Sequence, residues 1–188
     1  ENFVPICSTA KCSGHNWLFL ESLAVAIAVD PVFDNGNYTQ YPRAGMNAFN
    51  TIYSGWAFSQ EFFRQNGHEK FGLDSYKKMP NAFDERLGPK EPNDILIHIR
   101  AWQNSDISNN PLYNGDFKAA LGSITAKGFI MPTSTDQYFW ADDNRDEASL
   151  IPNVSFREIP SIWGHVGGSL SQPKERKIVD DTIRELIA

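Results

Sequence analysis

Asp136 and His165 are the residues of this 188-residue chain whose surroundings best suit them to proton chemistry. Asp136 ends the stretch Met131-Pro132-Thr133-Ser134-Thr135-Asp136, and His165 ends Ser161-Ile162-Trp163-Gly164-His165. Each stretch reads as a buried strand running into a small-residue turn, which is how a parallel sheet delivers side chains to one edge. Their separation of 29 positions is what one helix, one strand and their turns consume. In acyl transfer an imidazole takes the proton of a hydroxyl nucleophile, while a carboxylate fixes the imidazole tautomer and stabilises the imidazolium. Asp136 and His165 fit the second and third members of such a triad. The first member is missing, because no Gly-x-Ser-x-Gly elbow occurs in the chain. An Asp in such a turn also serves as a cap and a lone His as a packing residue, so it is the joint pattern that points to catalysis.

Other candidates surround this pair. Tyr138 follows Asp136 and Val166 follows His165, and both are expected to face substrate. His15 stands just past the turn after the first strand, and Arg43 opens a helix where it could bind an anion or serve as a surface cation. His68 lies in a Gly-flanked polar loop and is expected to be solvated, and His98 is expected to pack within a helix beside Trp102. No His, Asp or Glu cluster has metal-ligand spacing, so no metal is expected. Cys7 and Cys12 read as small buried thiols, with a disulfide across their short turn as the minor alternative.

The elements that must position these residues follow from periodicity. Strands are expected at Phe3 to Ser8, Ala126 to Pro132 and Val154 to Ile159, each an apolar, β-compatible run. Helices are expected from Trp17 to Val29, about Ala44 to Phe63, Asn93 or Asp94 to Ser105, Asp116 to Leu121, Asp142 to Leu150 and Pro173 to Ile187. Gln65 to Pro92 reads as loop with at most one short helix. Strand, helix, strand, helix is the mark of a parallel sheet wrapped by helices. Three strands would leave such a sheet short of neighbours, so further strands are expected upstream of Glu1, as is whatever segment preceded a chain that does not start with Met.

Composition narrows the class. A domain of this length buries roughly 70% of its unfolded surface. The chain is 41% hydrophobic and 21% charged, a globular balance, and its formal charge of −6 with scattered basic residues argues against a nucleic-acid groove. No apolar run reaches the roughly 18 residues a membrane span needs; Leu18 to Val29 is interrupted by Glu21 and Ser22. The cytoplasm is the expected compartment. The sequons Asn37-Tyr38-Thr39 and Asn153-Val154-Ser155 leave secretion open.

Pro5-Ile6-Cys7-Ser8-Thr9-Ala10, Asp30-Pro31, Asn93 to Ser108, Asn114-Gly115-Asp116-Phe117 and above all Met131 to Asn144 with Ile159 to Gly168 resemble the C-terminal half of the homoserine O-acetyltransferase-like branch of the α/β-hydrolases. The resemblance implies a parallel sheet wrapped by helices with a helical cap. It divides the chain into a core strand and turn at 1–14, a cap at 15–110 and an α/β core at 111–188. It implies Asp136 as triad acid, His165 as base, and a nucleophilic Ser, oxyanion hole and further strands in an N-terminal portion of the same protein. The implied reaction passes an acyl group from acetyl-CoA, or another acyl-CoA used as co-substrate, to a small-molecule hydroxyl, with no bound cofactor. The branch leaves room for a homodimer.

One departure bears on the acceptor. Homoserine acetyltransferases resemble one another in carrying Asp directly after the triad His, where it can meet the substrate ammonium, and this chain has Val166. An apolar side chain cannot pair with an amino group, so another alcohol, or water, becomes the expected acceptor. Acyl transfer is the leading expectation, hydrolysis by the same acyl-enzyme the alternative, and a non-catalytic binding or assembly subunit the reading from another class.

Overall fold

The computed structural model describes residues 1–87 and 90–188, with only the backbone of Phe83, Asp84, Arg86 and Leu87. Its chain contacts form two compact units, one of residues 1–11, 57–62 and 106–188, the other of residues 12–56 and 63–105.

The first unit is built on a three-stranded parallel sheet, β1 (Asn2–Phe3), β2 (Lys127–Ile130) and β3 (Val154–Phe156), in that spatial order. The strands are shorter than their apolar runs. Pro5 has no N–H to give the ladder, so pairing lapses after Phe3 and resumes as the single bridge Ile6 to Met131. Beyond β3 a bridge joins Thr133 to Ile159, and the N–H of Ile159 donates to the Pro132 carbonyl at 2.8 Å, so the ends of β2 and β3 stay in register.

Alternation along β2 sends successive side chains to opposite faces. Ile130 packs with Leu121, Ala148 and Ile151 on one side, while Phe129 and Met131 pack with Ile159 and Val179 on the other. Helices α6 (Phe117–Gly122) and α7 (Ala141–Ser149) supply the first cluster, and α8 (Pro173–Ile187) supplies the second. Covering both faces is what a parallel sheet demands. The Asp116 side chain accepts the Ala119 N–H at 2.9 Å to cap α6.

The second unit is helical: α1 (Gly14–Ala28), most of α2 (Arg43–Ala57), α4 (Met79–Leu87) and α5 (Pro92–Gln103), with short 3-10 turns at Gly67–Phe71 and Tyr76–Lys78. Ser13 caps α1, and Leu20, Leu23, Ala24 and Ile27 bury its inner stripe. α5 begins earlier than Asn93, because the Glu91 carboxylate accepts the Asn93 N–H at 3.2 Å and Pro92 takes the first helical position. The segment expected to be mostly loop holds two 3-10 turns and α4, and its Gly88 and Pro89 lie outside the described residues.

The single helix expected to run to Phe63 is two. α2 stops at Ala57 and α3 (Gln60–Arg64) restarts, because Ser59 accepts the Phe62 N–H at 3.0 Å and donates to the Ile162 carbonyl at 2.5 Å. No described helix is long and apolar enough to cross a membrane.

Candidate active site

Asp136 and His165 meet at the carboxyl ends of β2 and β3. Asp136 Oδ2 accepts from His165 Nδ1 at 3.1 Å, with the carboxylate wholly buried and the imidazole side chain 29% exposed. The other carboxylate oxygen, Oδ1, accepts the N–H groups of Tyr138 at 2.8 Å and Phe139 at 3.1 Å. A buried carboxylate is costly unless its lone pairs are engaged, and these three donors engage three of its roughly four sites. With Nδ1 bonded to the acid, the imidazole keeps its proton there and offers Nε2 as the basic nitrogen.

Hydroxyls between Met131 and Asp136 hold the His165 loop in place. Thr133 Oγ1 donates to the Gly164 carbonyl at 2.7 Å, and Thr135 Oγ1 donates to the Ser161 carbonyl at 2.8 Å while accepting the Gly164 N–H at 3.1 Å. Ser134 Oγ pairs with the backbone N–H and carbonyl of Ser161, both at 3.1 Å. The Thr-Ser-Thr run before Asp136 is thus a set of staples for the loop that carries His165. Gly164 turns that loop with φ 61°, and a β-carbon there would lie 2.7 Å from the Ser59 nitrogen. Only glycine fits both the conformation and the space.

Tyr138 and Phe139 wall the imidazole, with ring centroids 4.7 and 5.4 Å from that of His165. Tyr138 is buried, and Val166 is half-buried in the same 3-10 turn as His165. Arg43 and His15 belong to the helical unit. Arg43 is exposed at the start of α2, and His15, also exposed, lies against Trp56 at a centroid distance of 4.9 Å. His68 is not solvated: it is buried and meets Tyr76 edge-on, because the polar loop around it closes into a 3-10 turn.

Both cysteines are free thiols; Cys7 is buried and Cys12 half-buried. Sequence spacing did not announce Cys7, whose ligand atom gathers with those of Asp136 and His165 within 4.8 Å of one another. The signal was available, since residues ending parallel strands converge on one edge and Ile6-Cys7 ends the first. Burial, and then the Asp136 charge, push the Cys7 thiol up to about 12. A metal would require the thiolate and would displace the bond between Asp136 and His165, so the trio reads as a hydrogen-bonded cluster.

No protein-family model matches the chain. Over 165 residues it is 38% identical to an ethyl acetate hydrolase of Pseudomonas veronii, an alignment covering 86% of this chain and 47% of that protein. A homoserine O-acetyltransferase of Nostoc punctiforme is more distant, 27% identical over 180 residues, with 88% and 49% of the two chains covered. The solved acetyl esterase MekB superposes with a TM-score of 0.91 at 35% identity, covering 97% of this chain and 53% of that one. The chain spans about half the length of the curated relatives it matches. Parallel sheet, flanking helices and the close likeness to an esterase structure agree: this chain has the α/β-hydrolase fold.

Proposed function

We propose that Asp136 and His165 are the acid and base of a serine-dependent carboxylic ester hydrolase that acts on short acetyl esters, with the nucleophilic Ser supplied by the N-terminal portion of the same protein. The observation that carries this is the 3.1 Å bond from His165 Nδ1 to the buried Asp136 carboxylate at the carboxyl edge of a parallel sheet. In the reaction Nε2 of His165 takes the proton of the Ser hydroxyl as its oxygen attacks the ester carbonyl. The imidazolium returns that proton to the departing alkoxide, which leaves as alcohol. Water then repeats the sequence on the acyl-serine and releases the carboxylic acid. Asp136 stays ionised throughout and stabilises the imidazolium.

Hydrolysis is favoured over the acyl transfer expected from the sequence resemblance. The more similar relatives are acetyl ester hydrolases, and Val166 offers no charge for an amino-acid acceptor. Acyl-CoA is then not a required co-substrate, since the ester itself brings the acyl group. Acyl transfer to an uncharged alcohol is the second reading, supported by the homoserine O-acetyltransferase relative.

The test is to supply the full-length protein with ethyl acetate in water, and separately with acetyl-CoA and alcohols. Acetate released from the ester without an added acceptor is the expected result. Activity confined to acetyl-CoA plus an alcohol would replace this reading with the second one.

A further inference from the structure

Cys7 takes no part in the proton path described above, yet four features aim it at the acid. Its residue is 6% exposed, and its sulfur is one of the three atoms gathered within 4.8 Å with Asp136 and His165. Its backbone is left-handed, φ 47°, a conformation that a residue with a β-carbon holds only when its surroundings impose it. The N–H of Cys7 donates to the Met131 carbonyl at 3.1 Å, so the end of β2 imposes it here. Behind the sulfur, a β-carbon on Gly168 would stand 2.7 Å from Sγ, so this glycine after His165 is what leaves the thiol its room. Burial holds the thiol well above its usual range, so the sulfur keeps its proton at neutral pH and is available as a donor rather than as a nucleophile.

We propose that Cys7 is a positioning residue for the triad acid: its S–H donates to the Asp136 carboxylate and, with the Tyr138 and Phe139 N–H groups on Oδ1, fixes the carboxylate so that Oδ2 faces His165 Nδ1–H. Strain at a site-lining residue is the usual sign that its side chain is needed in one place. The inference rests on reading Asp136 and His165 as the acid and base of an esterase.

In the full-length protein, Cys7→Ala deletes the donor, Cys7→Gly deletes it while relieving the left-handed backbone, and Cys7→Ser keeps a donor. The Ala and Gly variants should lose roughly tenfold in kcat with KM changed less than about twofold, the scale of one hydrogen bond to a charged group. The downfield proton resonance of His165 Nδ1–H should shift or broaden in both, and Ser should restore rate and resonance. Unchanged kcat and resonance in Ala and Gly would overturn the proposal, as would a Ser variant as impaired as Ala, which would mean packing alone. If the wild-type protein released acetate from no ester, the functional reading would fall, and the resonance alone would then decide the role of Cys7.

Discussion

Thr133 Oγ1 donates to the carbonyl of Gly164 at 2.7 Å, joining the chain just past β2 to the residue that presents His165. Thr133 is fully buried, so this bond forms away from water. Thr133→Val keeps the shape and removes the donor, leaving a buried carbonyl unsatisfied. The expected cost is about 1–3 kcal/mol of stability, read from the urea midpoint, together with a fall in kcat for ester hydrolysis. A variant as stable and as active as the parent would show that the staple is dispensable.

His165→Ala removes the base and should reduce turnover of the full-length protein to background. Asp136→Asn should retain Oδ1 as acceptor for Tyr138 and Phe139, so melting should change little, yet the imidazole would be held in the wrong tautomer. A fall of about 10⁴ in kcat is the scale of that error in Ser-His-Asp enzymes. Steady-state kinetics with ethyl acetate alongside thermal melts separates the chemical loss from a folding defect.

Gly164→Ala adds a β-carbon where backbone atoms of Ala57, Phe58 and Ser59 stand within 3 Å, on a residue whose φ is positive. Both faults push the base loop out of place. Stability should drop by about 1–3 kcal/mol or more, and activity should drop with it. Calorimetry measures the first and initial rates the second. A neutral substitution would mean the loop is far softer than its hydrogen bonds imply.

Glu147 is buried on α7, where its Oε1 accepts from Thr9 Oγ1 at 2.6 Å and from the Ala10 N–H at 3.1 Å. Burial holds its carboxyl above the usual Glu range. A group raised on folding binds its proton more tightly in the native state, so its contribution is full below the ordinary Glu range and is lost as pH rises through the folded value. Glu147→Gln keeps Oε1 and removes the charge. Denaturation midpoints at pH 4 and pH 7 should therefore show the variant gaining on the parent as pH rises; a constant difference would contradict this.

The meeting of Asp136 with His165 was legible because each depends on its own neighbourhood: a strand, a small-residue turn and one titratable side chain. The three strands, α7 and α8 were legible for the same reason. What escaped were features set by distant partners. The break between α2 and α3 depends on Ser59 reaching the carbonyl of Ile162, far along the sequence, and no local signal at Ser59 announces it. Cys7 read as an ordinary buried thiol: its place at a strand end hinted at the shared edge, but its left-handed backbone and its closeness to Asp136 depend on how the strands pair. Glu91 was passed over as a cap because Asn and Asp are the commoner choice. The expectation of acyl transfer came from the resemblance, and Val166 was the residue in the sequence that argued against homoserine and left another alcohol, or water, as acceptor.

The hydroxyls of Thr133, Ser134 and Thr135 anchor the His165 loop to the same strand end that carries Asp136. Imidazole and carboxylate therefore ride on one mechanical piece, and thermal sway elsewhere in the fold displaces both together instead of opening a gap between them.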